Sequence, residues 1–237
     1  MEWLGHIPEA WEAKRFKTVL SRNDGGVWGE DAITDGTVVL RSTDMTVNGQ
    51  WRLNDPALRR LTARERGDGL LRSDDLVVTK SSGSKLHLGK TAIVTRELAE
   101  RECCFSNFMQ RLRAKSGYEP RFLRYGLNCT AGREQLLFLG STTTGLANLT
   151  GRIIGDVLVA APTSAEQRAI AEFLDRQTAK IDELIAKKQR LIELLEEKRA
   201  ALITHAVTRG LNADAPPARH RHRMARPNSK TLGSSQN

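Results

Sequence analysis

Aromatic residues make up only 5% of the 237-residue chain, cysteines number three, and no stretch approaches the ~18 consecutive apolar residues of a membrane span. An odd cysteine count with Cys103 and Cys104 adjacent is a poor disulfide framework, so these two and Cys129 are expected reduced. Met1-Glu2-Trp3-Leu4-Gly5-His6 lacks the basic-then-apolar order of a signal peptide, and a cytoplasmic location with no membrane partner is expected. A wholly disordered or collagen-like chain is excluded by 39% hydrophobic content. No internal repeat is visible in residues 1–163.

Catalytic machinery is equally sparse. Gly83-Ser84-Lys85-Leu86-His87-Leu88-Gly89-Lys90-Thr91 nearly makes a phosphate-binding loop, but Gly83 lies one residue too far from Gly89. Moreover, Thr91–Thr95 reads as strand where a phosphate needs a helix N-terminus. Gly140–Gly145 has the right gap but is followed by Leu146-Ala147 in place of a lysine and a hydroxyl. The five histidines (His6, His87, His205, His220, His222) form no zinc-ligand spacing with the cysteines. Asp74-Asp75 before Lys80 loosely resembles a metal-dependent nuclease, yet Val78 stands where a further acid is needed, and such a pair at a strand start is usually a turn. No catalytic residue, metal or cofactor is expected.

Positive charge is present in excess: 37 Lys and Arg against 28 Asp and Glu, net +9. Residues 1–163 carry +4, residues 164–209 +1, and residues 210–237 another +4. Bulk charge is thus a modest argument for nucleic acid. From Asn212 the composition turns to Ala-Asp-Ala-Pro-Pro and Arg219-His220-Arg221-His222-Arg223 with no apolar period, predicting a disordered basic tail over 212–237.

Glycine and proline are absent between Ser164 and Arg209, where Ala, Leu, Glu, Lys, Arg and Gln dominate, and this predicts one long helix. Ser164 followed by Gln167 suits a first-turn cap, and Gly210 a stop. Alternate steps of four and three visit Ile170, Leu174, Gln177, Ile181, Leu184, Lys188, Leu191, Leu195, Lys198 and Leu202, an apolar seam of coiled-coil period with three polar interruptions. Such a helix is about 70 Å long, more than residues 1–163 can cover, so it demands a partner helix. Ile170, Leu174, Ile181, Leu184, Leu191, Leu195 and Leu202 are the candidate pairing residues.

Residues 1–163 read as mixed α and β. Strands are predicted at 37–40, 75–79, 91–95, 135–139 and 156–159, and helices at 55–66, beginning with Pro56, and at 120–127. All four tryptophans fall within the first 51 residues, which suggests that much of the core is built there. Loops beside these strands carry hydroxyls, amides and cations: Arg41, Ser42 and Thr43; Lys80, Ser81, Ser82, Ser84 and Lys85; Thr142, Thr143, Thr144 and Asn148. Lysine and arginine neutralise phosphates, hydroxyls donate to phosphate oxygens, and arginine or asparagine reads base edges, so these are the candidate DNA-binding residues.

At this point the chain resembles the specificity subunit of type I restriction-modification systems. The resemblance runs from Ile7-Pro8-Glu9-Ala10-Trp11 through Val39–Met45, Leu70–Lys80, Gly89-Lys90, Phe105–Met109 and Thr144–Leu149 to Pro162, Glu166–Asp175 and Lys198–Leu211. It covers about residues 3–211, and Glu166–Asp175 is its most specific part. The resemblance implies an α+β chain: a mixed α/β target recognition domain at 1–160, then a long coiled-coil helix at 161–211 that packs antiparallel on a partner helix. It also implies a non-catalytic protein that holds double-stranded DNA and docks a methyltransferase (modification) subunit and a restriction/translocase subunit. The usual subunit carries two recognition domains and two helices, so this chain looks like a half-subunit. Pairing with a second recognition chain, or as a homodimer, would give two domains related by a twofold axis, each reading half of an interrupted site. Alternatives are a stand-alone coiled-coil DNA-binding regulator, a vestigial fragment, and a small nuclease using Asp74 and Asp75.

Overall fold

A computed structural model of the chain describes residues 3–82, 84, 86–141 and 148–211. In order, the elements are β1 (Glu12–Arg15), α1 (Phe16–Val19), β2 (Leu20–Gly25), β3 (Glu30–Asp31), β4 (Thr37–Leu40), a 3-10 turn (Ser42–Asp44), β5 (Ala57–Arg60), α2 (Ala63–Gly69) and β6 (Leu76–Thr79). They continue with β7 (Thr91–Ile93), α3 (Arg96–Glu100), β8 (Cys104–Phe105), β9 (Met109–Ala114), α4 (Pro120–Asn128), α5 (Thr130–Leu139), α6 (Gly151–Gly155), β10 (Leu158–Ala161) and α7 (Ser164–Arg209). The expected fold class, mixed α/β followed by one long helix, is what the structure has. No described helix is long and apolar enough to cross a membrane.

The organising layer is the antiparallel sheet β2-β9-β6-β7. All four residues of its inner strand β6 are buried, because both sheet faces are covered. Side chains alternate: Leu76 and Val78 join Leu112 in one core with Phe16, Leu123, Leu127, Leu136 and Ile154 of the helices, while Val77 joins the other with Leu40, Ala92, Phe105 and Met109. Helices α1, α4, α5 and α6 thus supply one core, and the second sheet, β3-β5-β4-β8, the other. A small ladder, β1 on β10, joins the two ends of this region.

Several local expectations are corrected. Residues 135–139, predicted as a strand, close helix α5, because a short apolar run fits either period and tertiary contacts decide. Leu136 is wholly buried while Phe138 is 54% exposed. Gln135 then takes the place of a strand neighbour: its Nε2 donates to the Leu158 carbonyl at 3.0 Å and its Oε1 accepts the Leu158 N–H at 2.8 Å. The helix predicted over 55–66 is strand β5 followed by α2, whose cap is a reciprocal Thr62–Glu65 box. The strand predicted at 156–159 starts at Leu158, since Asp156 ends α6. None of the four tryptophans is buried, and the cores are mainly aliphatic, with Phe16 in one and Phe105 in the other.

Helix α7 spans the predicted 46 residues, but its cap lies one residue earlier than expected. The Thr163 hydroxyl accepts the Glu166 N–H at 3.3 Å, and the Thr163 N–H donates back to the Glu166 carboxylate at 3.0 Å. Gly210, at φ +74°, donates to the Ala206 carbonyl and ends the helix. The chain divides into two compact units, Met1–Thr178 and Ala179–Asn237.

Candidate nucleic-acid interface

Between β8 and β9 the chain makes a four-residue turn, Ser106-Asn107-Phe108-Met109, closed by the Met109 N–H on the Ser106 carbonyl at 3.0 Å. Serine first and asparagine second suit such a turn. Both sheets grip it. The Ser106 N–H donates to the Leu40 carbonyl at 2.9 Å, immediately before Arg41, and the Lys80 N–H donates to the Phe108 carbonyl at 3.0 Å. Gly26 packs against its base: a Cβ there would lie 2.2 Å from the Phe105 carbonyl oxygen and 2.3 Å from that of Ser106, so no other residue fits without backbone movement.

Three loops singled out in the sequence meet around this turn. Ser81 and Asn148 pair as an isolated antiparallel bridge, and the Leu149 N–H donates to the Lys80 carbonyl at 2.7 Å. The 41–45, 80–82 and 148–150 segments therefore gather at one end of the two sheets. Thr43 and Asn148 are exposed, and Arg41, Ser42, Lys80, Ser81, Ser82 and Ser84 are half-buried. The Ser82 and Ser84 hydroxyls accept backbone N–H groups of Ser84 and Leu86 at 3.2 and 3.3 Å, which shapes their loop. Arg41 is held by Asp44 through Nε and Nη2 at 3.2 and 2.9 Å, and also donates to the Asp55 carbonyl. Lys80 has no carboxylate partner among the described residues; its Nζ lies over Gly25. Lys85, Thr142, Thr143 and Thr144, like the predicted tail from 212, lie outside the described residues.

Residues that looked chemical in the sequence prove to be struts. Lys90 is buried, its ammonium bonded to the Met45 carbonyl and 2.9 Å from His87 Nδ1, so it ties the 41–45 segment to the 87–90 turn. Burial lowers its pKa, with Arg133 adding to the effect. Asp75 is wholly buried and takes Arg113 Nε and Nη2 at 2.6 and 2.8 Å, so one of the two carboxylates of the nuclease reading is held in an ion pair. Among the described residues no group of three histidines, cysteines or carboxylates is placed to hold a metal.

Sequence reasoning missed Asn107 and Phe108 as site residues, both exposed, and also Asn23 and Gln110 beneath them. Gln110 Nε2 donates to Asn23 Oδ1 at 2.7 Å, and Asn23 Nδ2 donates to the Gly151 carbonyl at 2.7 Å, linking β9, β2 and α6. The available signal was an aromatic flanked by Ser and Asn just after a short apolar strand.

The pairing residues fall into two groups. Ile170 and Leu174 are half-buried in the first unit, where Gln167 and Asp175 anchor the helix base to α4. Asp175 accepts from Tyr125 Oη at 2.7 Å and Arg121 Nη1 at 2.9 Å. In the second unit Ile181, Leu184, Leu191, Leu195 and Leu202 are 54–61% exposed, and Ile185, Ile192 and Ile203 widen the same apolar seam.

No known protein-family profile matches the chain. Curated relatives do: the StySPI type I restriction enzyme specificity subunit of Salmonella potsdam is 25% identical over 211 residues, covering 86% of this chain and 44% of the relative. The EcoKI specificity subunit of Escherichia coli K12 is 24% identical over 209 residues, with the same two coverages. Among solved structures, the HsdS subunit from Thermoanaerobacter tengcongensis superposes with a TM-score of 0.56 at 20% identity, over 89% of this chain and 52% of that one. A chain from a type I R-M system structure on complex assembly and conformational transition superposes at 0.62 with 16% identity, over 87% and 48%. The chain spans less than half the length of the curated relatives it matches. Along most of its own length the chain is similar in sequence to type I restriction enzyme specificity subunits, and it shares its fold with the HsdS structure.

Proposed function

We propose that this chain is a non-catalytic, sequence-specific DNA-recognition element of a cytoplasmic type I restriction-modification complex. Residues 1–160 act as a target recognition domain that reads one half of a bipartite site in double-stranded DNA. Residues 161–211 pair with a second long helix, from another copy or another recognition chain. Together they dock the methyltransferase and restriction/translocase subunits. The observation that carries this reading is the convergence of three polar loops, distant in sequence, on one turn at the end of two sheets. The exposed apolar seam of 179–211 supports the pairing: leaving so many large aliphatic side chains in water is costly at about 25 cal/mol per Å², and a partner helix removes that cost.

The test is to select the full chain, alone and with the modification subunit, against a pool of random duplexes. Enrichment of one split sequence is expected. With the selected duplex, Lys80→Ala should weaken binding of all duplexes alike and flatten the salt dependence by about one phosphate contact. Leu184→Asp should abolish helix pairing, measured by light scattering, while the circular dichroism of the recognition domain survives. Failure to enrich any sequence under both conditions would overturn the proposal, and a Leu184→Asp protein that still pairs would overturn the seam.

A further inference from the structure

Of the six phenylalanines three are exposed, Phe108, Phe138 and Phe173; Phe173 sits on helix α7, and Phe108 alone stands on a turn between the two sheets. Phe16 and Phe105 are wholly buried, Phe122 is packed on a core, and Phe138, although exposed, lies 5.3 Å from the Trp3 ring. Phe108 is 54% exposed on the tip of a closed turn. The last registered pair of the β6–β9 ladder is Thr79 with Met109, and the Lys80 N–H bond to the Phe108 carbonyl extends it by one step, so Phe108 stands opposite Lys80. Its neighbours are polar: Asn107 beside it, then Ser81 and Asn148 next to Lys80. A single aromatic surrounded by a cation, amides and hydroxyls is too small an apolar area for a protein-docking face, and the tip is fixed by hydrogen bonds to both sheets.

Resting on the DNA-binding reading above, we infer that Phe108 contacts the bases themselves, entering a groove and packing its ring against a base step while Lys80 holds the adjacent phosphate. Aromatic side chains on basic surfaces act in this way, by wedging between or stacking on bases, and the contact favours steps that unstack easily. Phe108 is therefore a specificity-determining residue, and Lys80 a sequence-independent one. The turn fixes the backbone that carries the ring, so little backbone freedom is lost on binding.

The test uses the full chain with the duplex that the wild-type protein enriches, carrying 2-aminopurine at successive positions. Phe108→Ala should lower affinity for that duplex by about tenfold or more without changing the salt slope, and Phe108→Trp should restore it. Wild type should brighten 2-aminopurine at one step, and Phe108→Ala should not. Because the ring is exposed, the variant's melting temperature is expected to be unchanged. If Phe108→Ala binds as tightly and brightens the same step, the inference is overturned. It is equally overturned if DNA binding persists but recruitment of the modification subunit is lost, which assigns the ring to a protein contact. A wild-type chain that binds no duplex defeats the underlying reading, a separate outcome.

Discussion

Arg111 and Asp24 face each other across neighbouring strands through two parallel hydrogen bonds, Nε to Oδ1 at 2.9 Å and Nη2 to Oδ2 at 2.7 Å, with the arginine wholly buried. The same guanidinium donates to the carbonyls of Leu70 and Asp68 at 2.7 and 2.9 Å and lies 5.4 Å from the Phe105 ring. One side chain thus pins β2, β9 and the end of α2 beneath the turn that carries Phe108. Arg111→Leu should destabilise the chain by about 3 kcal/mol, at the low end for a broken buried pair, because Asp24 keeps some access to water. Urea denaturation checks this, and a loss below about 1 kcal/mol would place the pair among ordinary surface bridges.

The same pair sets an acid dependence. Burial opposes charge on Asp24, but the hydrogen bond and charge of Arg111, with Arg22 and Arg113 nearby, hold its carboxyl below the usual carboxylate range. A carboxyl whose folded pKa is depressed contributes stability above its unfolded value of about 4, and loses it as pH falls through the folded one. The urea midpoint of the wild type should be level from neutrality down to about pH 5 and decline below it. In Arg111→Leu the decline should be shallower, since the folded Asp24 then titrates nearer its unfolded value.

Gln167 joins the helix base to the recognition unit. It is buried, its Oε1 accepts the Glu119 N–H at 2.9 Å, and its Nε2 donates to the Pro162 carbonyl at 2.8 Å. Gln167→Ala leaves both backbone groups unpaired and should cost about 2 kcal/mol. Glu119 also caps α4, so amide exchange at the start of that helix should quicken in the variant. Unchanged exchange there would mean that water replaces the glutamine.

Thiol reactivity gives an inexpensive check of the packing around β8 and the second core. Cys103 and Cys104 are wholly buried, and burial pushes the Cys104 thiol up to about 11, whereas Cys129 is exposed. A maleimide at pH 7.5 should label Cys129 alone in the folded chain and all three cysteines in denaturant. Rapid native labelling of the adjacent pair would contradict the packing of β8.

Part of this protein could be read from local information. Helix α7 and its glycine stop were legible because 46 residues without glycine or proline carry a strong propensity whatever they touch. Strand β4 was found at its observed bounds, and α4 to within one residue of them. Tertiary structure decided what local patterns leave ambiguous. Residues 135–139 became helix because Leu136 had to reach the helical core and Gln135 the edge of β10. Residues 57–60 became strand because β3 and β4 offered hydrogen-bond partners on both sides. The same holds for the candidate site: its loops were visible in sequence as polar segments, but their meeting around Ser106–Met109 depends on hydrogen bonds between strands up to seventy residues apart, and Phe108 acquires its place only there. Propensity acts over a few neighbours, whereas the position of a loop is set by the sheet that carries it.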